Sequence, residues 1–296
     1  MTSPLAGREL LVVTGKGGVG KSTLAAVLAR ALAARGRRAL VLEVDPRETQ
    51  HVLLDTAPSD GEILPAGDDV WLQNLRPRDE IEALVRRRIP IALVARAVAA
   101  SPVFHHFVES APGLKELAVL GHALRVVRGE IGPGVDTVVL DAPATGHGVS
   151  LLAAPLLVAE VLGNGPVAQL AREIAAFVAA GDRCGVVVAT LAEEMPVQET
   201  LELAEMLATR VGRPPDLVAV NALYPEWPRR RPPGPGDALD LWRQRRAVND
   251  EELTRLRRHW RGAVAELPLI AADAGPALVE TLVAALAPAL AAEGSA

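Results

Sequence analysis

Of the 31 lysine and arginine side chains in this sequence only three are lysine, and two of them, Lys16 and Lys21, stand in one stretch, TGKGGVGKST. Gly15 to Ser22 fit the pattern G-x-x-x-x-G-K-[ST] between an apolar run and a helix-forming run, the context in which that pattern cradles phosphate. Gly15, Gly17, Gly18 and Gly20 admit backbone conformations closed to residues with a β-carbon, so the amides of the turn, Val19 included, can point inward at phosphate oxygens. The helix beginning near Lys21 adds the positive end of its dipole. In such a turn Lys21 reaches the β- and γ-phosphates, Ser22 offers its hydroxyl to Mg²⁺, and Thr23 reaches the α-phosphate. A compact ammonium suits this slot and a guanidinium fork does not, which accounts for Lys21 in an arginine-rich chain. The chemistry expected is binding of ATP with Mg²⁺. Phosphate binding alone does not demand a lysine at position 16.

Two aspartates end apolar runs further along. Asp45 closes RALVLEVD, and open α/β sheets place their chemistry at the carboxyl ends of strands. A carboxylate there can orient or deprotonate an attacking water. An aspartate before Pro46 is equally a turn or helix-cap residue, and spacing does not separate the two readings. Asp141 ends TVVLD within DAPATGHGVSLL and fits the Mg²⁺ side of the site, acting directly or through a water. Gly146 and Gly148 make the following loop deformable, as a sensor of the γ-phosphate requires. His147, beside them, reads more readily as a packing or hydrogen-bonding residue than as a catalytic one.

These residues need a scaffold that brings strand ends together. Glu9 to Thr14, Arg38 to Asp45, Val70 to Leu75, Thr137 to Pro143, Cys184 to Thr190, Asp216 to Asn221 and Ala263 to Leu269 read as strands separated by helical stretches. Near-continuous Val, Leu and Ile runs of this kind belong to a parallel sheet covered on both faces. The expected fold is α/β, a doubly wound, mostly parallel sheet of about seven strands in one domain spanning 1–296. Residues 79–130 read as helical, broken at Pro90, Pro102 and Pro112-Gly113, and form an inserted or flanking helical subdomain. Residues 225–237, PEWPRRRPPGPGD, read as a loop.

Bulk properties narrow the classes of function. Half of the residues are hydrophobic but only 3% are aromatic, so the core is built of Ala, Leu and Val. A net charge of −5 gives no general attraction for nucleic acid or anionic lipid. A lone cysteine, Cys184, rules out a disulfide framework or a cysteine zinc cluster within one chain. MTSPLAGREL holds no apolar signal stretch, and Arg96, Glu160 and Glu280 interrupt the best candidates for a transmembrane segment. A cytoplasmic protein is expected.

The longer pattern K-G-G-x-G-K-[ST] resembles the deviant Walker A turn of the septum-site, plasmid-partition, nitrogenase-iron and arsenite-pump ATPases. GKGGVGKST together with Asp45-Pro46, DAPATGH, APGLKEL, TLAEEMPVQETLELAEML, VNAL and ELPL is similar, over nearly the whole chain, to the ArsA family of arsenite-pump and tail-anchored-protein targeting ATPases. The resemblance implies that Lys16 reaches across a dimer interface to the partner's nucleotide, as an arginine finger does elsewhere. It implies that Asn221 and Pro268 hold the adenine, and an amide does carry the donor and acceptor that an adenine edge requires. It also implies a homodimer, or a heterodimer with a related ATPase, acting on a protein client or membrane partner.

The chain departs from its relatives in informative ways. One cysteine cannot supply the three thiols of an arsenite site, the Cys-x-x-Cys pair of the targeting members, or the four cysteines per dimer of the nitrogenase-iron cluster. Three methionines and a short stretch from Ser150 to Arg183 leave no Met-rich client groove. Leu114, Leu117, Val119, Leu120 and Leu124 could line another groove, though such a pattern more often marks a core. The C-terminal stretch GPALVETLVAALAPALAAEGSA lacks the basic residues of a membrane-surface helix. Seven arginines between Leu241 and Gly262 permit a local DNA-facing patch, but charge runs are usually solvated helix faces. Arg47-Glu48 replaces the family's small residues after Asp45-Pro46, which leaves a second reading open: a weakly hydrolysing nucleotide-binding scaffold that pairs with a related ATPase chain.

Overall fold

The computed structural model describes Leu5 and residues 7–88, 111–143, 148–226 and 238–291. Along these the chain runs β1 (Leu10–Thr14), α1 (Lys21–Ala33), β2 (Ala39–Glu43), α2 (Gln50–Leu54), β3 (Leu64–Pro65), β4 (Val70–Asn74) and α3 (Pro77–Arg88). It continues through α4 (Leu114–Val127), β5 (Thr137–Asp141), α5 (Gly148–Leu162), α6 (Pro166–Ala179), β6 (Cys184–Leu191) and α7 (Glu194–Arg210). It closes with β7 (Leu217–Leu223), α8 (Ala238–His259), β8 (Ala263–Pro268) and α9 (Pro276–Ala291).

The strands form one sheet in the order β3-β4-β2-β5-β1-β6-β7-β8. All neighbours pair parallel except β3, which runs antiparallel to β4 through two residue pairs. The seven expected strands are therefore present, and the eighth is a two-residue edge too short to carry an apolar pattern. The second strand stops at Glu43 rather than Asp45, so Asp45 stands in the loop beyond it.

Strand alternation explains why the runs are apolar throughout. Leu10 and Val12 face a core shared with Leu120 of α4, Leu152 of α5, Phe177 of α6 and Leu207 of α7. Leu11 and Val13 face the opposite core, built with Leu24 and Leu28 of α1 and Leu282 and Leu286 of α9. Successive side chains point to opposite faces, and both faces are covered, so no position along β1 can be polar without cost. The same alternation sends Glu43 and Asp141, the last residues of β2 and β5, toward the α1 face. These two acids pair in register across adjacent strands.

β1 lies between β5 and β6, and the chain departs from it toward β2 on one side while β6 to β8 build the other. Such a reversal opens a crevice at the carboxyl ends of the strands, and the turn after β1 sits in it.

The helical stretch expected over 79–130 is represented by α3 and α4, which pack on each other; residues 89–110 lie outside the described residues. Leu117, Val119, Leu120 and Leu124 are core residues, which favours packing over a groove for them. The arginine-rich segment forms α8, where Arg245, Arg246, Arg255 and Arg257 pair with Glu193, Asp250, Glu252 and Glu266. That is a salt-bridged, solvated helix face, with no open basic patch at those four positions. Cys184 is a fully buried strand residue whose thiol burial pushes up to about 12. Among the described residues no helix is long and apolar enough to cross a membrane.

Candidate functional site

The turn after β1 is shaped by three glycines in the left-handed or otherwise glycine-favouring region: Gly15 (φ 140°), Gly18 (φ 81°) and Gly20 (φ 89°). A β-carbon on Gly15 would sit 2.3 Å from the carbonyl oxygen of Ala189, and one on Gly20 would sit 2.2 Å from Nδ2 of Asn221. Gly17 takes no positive φ, so of the four glycines that admit such conformations three use them here. The turn ends where α1 begins at Lys21, which directs the first helical amides toward the crevice.

Lys21 is buried, and its Nζ donates 2.9 Å to the carbonyl oxygen of Lys16, folding the ammonium back over the loop. Burial lowers its pKa, opposed by the nearby Asp141 and Asp45 carboxylates. Among the described residues this buried cation is held by a backbone carbonyl and by the field of two acids, which leaves room for an arriving phosphate to complete its compensation.

Asp141 is buried as well, and its Oδ2 accepts 2.9 Å from Nε2 of Gln50. Oδ1 makes no hydrogen bond of good geometry among the described residues, although the adjacent Ser22 hydroxyl helps hold the carboxylate ionised. Burial is the largest influence and raises the Asp141 pKa; Ser22, Gln50 and Lys21 oppose it. A buried carboxylate oxygen without a donor is what a cation would satisfy, so Ser22 and Asp141 fit Mg²⁺. Among the described residues no cluster of three or more His, Cys, Asp or Glu side chains could hold a metal by itself. A site completed by phosphate oxygens and water is therefore the form that fits.

Lys21, Ser22, Thr23, Asp45 and Asp141 line one cleft with Gly18, Gly20, Val44, Ala142 and Pro143. Asp45 makes the turn contact that one of its sequence readings expected, at a position open to the cleft. It faces this cleft, and its Oδ1 accepts 2.8 Å from the amide of Arg47, closing a turn of its own. Its carbonyl accepts 2.8 Å from Nδ2 of Asn74 at the end of β4.

Lys16 lies on the other flank. It lines a separate groove with Val19, Pro196, Leu203 and Met206, and its Nζ pairs with Glu199 of α7 at 2.7 Å. Asn221, within β7, donates through Nδ2 to the carbonyl of Val19 at 3.1 Å, which leaves its Oδ1 as the free acceptor end of the amide. Pro268 ends β8 on the next strand, in register with Leu223. Neither Asn221 nor Pro268 lines the phosphate cleft. Residues 144–147, with Gly146 and His147, lie outside the described residues.

Three polar residues at this site escaped sequence reasoning. Glu43 was visible in principle as an acid inside the apolar run LVLEV. Gln50 and Glu199 carry no local signal, because each matters only through a partner distant in the chain.

Comparison with known proteins agrees with this geometry. The family model described as anion-transporting ATPase (ArsA) matches residues 8–183, more than half of the chain and every element from β1 through α6. The ATPase BagA of Mycobacterium tuberculosis is 31% identical over 239 residues, covering 75% of this chain and 67% of the relative, and a Mycobacterium bovis protein matches to the same extent. An uncharacterized Streptomyces coelicolor protein is 32% identical over 149 residues, 49% of this chain and 36% of that one. With its glycine turn at the switch point of a parallel sheet and this match from β1 through α6, the chain belongs to the ArsA family of anion-transporting ATPases.

Proposed function

We propose that the chain is a Mg²⁺-dependent ATP hydrolase acting as a molecular switch, one ATPase domain that pairs into a dimer around two nucleotides. Its change of shape is delivered to a client protein or a membrane partner. The observation that carries this reading is the convergence of Lys21, Ser22, Asp45 and Asp141 on one cleft at the carboxyl end of β1. The amides of Gly15 to Thr23 and the Lys21 ammonium hold the phosphates. Asp45 orients the attacking water and accepts its proton. Ser22 and Asp141 would hold Mg²⁺, which when bound would supply charge neutralisation to the phosphates. Asn221 presents its amide oxygen, and Pro268 its ring, to the base. Lys16 acts on the nucleotide of the partner protomer.

A second reading has its own support: the Asp45 carboxylate is already engaged by the Arg47 amide, which suits a scaffold that binds nucleotide and pairs with a related chain. Mg²⁺-dependent ATP turnover, measured over a wide range of protein concentration, separates the two. Specific activity that rises with concentration and collapses on Lys16→Ala supports the dimeric hydrolase. Nucleotide binding without turnover at any concentration supports the scaffold.

A further inference from the structure

The geometry points to Gln50 as the positioning residue that sets the Asp141 carboxylate for Mg²⁺ and ties it to the loop carrying Asp45. This inference rests on the Mg-ATP reading above. Gln50 is fully buried, a costly place for an amide whose Oε1 has no partner among the described residues, so the donor end carries its bonding. Its Nε2 uses both hydrogens: one goes to the Ser22 carbonyl at 2.9 Å, the other to Asp141 Oδ2 at 2.9 Å. Those acceptors belong to the two residues expected to hold the metal. The opposite amide orientation would set an oxygen against two acceptors, so the donor assignment follows from the partners. Because the amide is neutral, it favours the ionised carboxylate without cancelling its charge, as a lysine or arginine there would. With Oδ2 taken, Oδ1 is the oxygen left for the cleft.

Gln50 is itself held. Glu43 Oε1 accepts from the amide of Thr49 at 2.8 Å, from the Thr49 hydroxyl at 2.6 Å and from the amide of Gln50 at 3.3 Å. The start of α2 is thereby pinned to the end of β2, and the short loop between them carries Asp45. A displacement of that loop moves Gln50, and with it the orientation of Asp141. The Gln50 side chain joins Asp141 to the segment of chain that carries Asp45.

The test is Mg²⁺ titration of the binding of a fluorescent non-hydrolysable ATP analogue, with wild type and with Gln50→Leu, which keeps the volume and removes both donors. Loss of an outer partner of a metal ligand typically weakens metal affinity about 10–100-fold. The expected result is a rise of that size in the Mg²⁺ concentration for half-maximal stimulation, with analogue affinity in EDTA and the thermal midpoint near wild type. A half-saturation within about two-fold of wild type, well below that range, overturns the inference. So does a loss that appears equally in EDTA, which marks Gln50 as structural only. Should Gln50→Leu fail to fold, Thr49→Val removes one donor to Glu43 and is expected to shift the half-saturation in the same sense by a smaller factor. No shift there overturns the inference too. Wild type that binds no analogue with or without Mg²⁺ overturns the ATP reading itself.

Discussion

On the β2–β5 flank of the phosphate loop, Lys21, Glu43, Gln50 and Asp141 are at most 7% exposed, and hydrogen bonds join Gln50 to Asp141, to the Ser22 carbonyl and to Glu43. On the β6–β7 flank, the Lys16 side chain is 58% exposed and rests on Glu199, itself 27% exposed. The two lysines of one turn thus occupy opposite kinds of environment. Stabilising charge that develops on a phosphate needs donors and acids fixed in advance where water cannot screen them. A side chain that must leave for another protomer has to remain solvated and weakly held. An exposed ion pair, worth about 0.2–1 kcal/mol, provides that restraint. The difference teaches that one turn can hold one lysine buried over its own loop and leave the other solvated, as the proposed division between action within the chain and between chains requires.

The strongest way to break this comparison is Lys16→Ala. If Lys16 acts in trans as a charge donor, turnover falls by about 10³–10⁵ while analogue binding by the isolated chain persists. Equal loss of binding would place Lys16 on its own nucleotide and erase the contrast between the flanks. Next in size is Asp45→Asn, expected to lower turnover about 10²–10⁴-fold with analogue affinity retained. Turnover that survives it leaves the carboxylate as a turn residue and transfers the case to the scaffold reading.

Asp141→Asn sharpens the buried flank through stability. Burial raises the Asp141 pKa, so the folded chain binds that proton more tightly than the unfolded one. Stability of the nucleotide-free protein therefore declines as pH rises from the ordinary carboxylate range through the raised value. Glu43, raised by burial in the same sense, adds to the slope. Asparagine removes the Asp141 part: urea unfolding of the free variant is expected to show higher stability than wild type at pH 7 and a shallower pH dependence, with Mg²⁺ stimulation of binding lost. An unchanged slope counts against a strained carboxylate.

The smallest effect belongs to Glu199→Gln. Releasing an exposed pair worth about 0.2–1 kcal/mol frees Lys16 and is expected to raise turnover at low protein concentration by up to about five-fold. A fall instead would make Glu199 part of the interface rather than a restraint.

The phosphate loop was legible because its chemistry is local. A strand, glycines needing unusual φ, a lysine and a helix start all fall within Leu10 to Lys21, so their types and spacing carry the whole argument. The strands were legible because a sheet buried on both faces permits little but apolar residues between its ends. The same logic placed Asp141 at the end of its strand but ran the second strand two residues too far, to Asp45, and did not say which acid would be buried. β3 escaped, since two residues make no pattern, and which of the four glycines would use a positive φ was not legible, since a glycine's identity does not report its φ.

The local alphabet of the chain, then, settled the α/β class and marked the glycine turn and the acids beside it as candidates, because turns and strands follow from neighbouring residues. Strand order settled the rest. Placing β2 beside β5 and β5 beside β1 brings Gln50 to Asp141, 91 residues away, and setting β7 on the far flank brings Asn221 to Val19, 202 residues away. Only the packed sheet decides those meetings, because register and strand order are set by how two whole cores close around the sheet and not by any short run of residues.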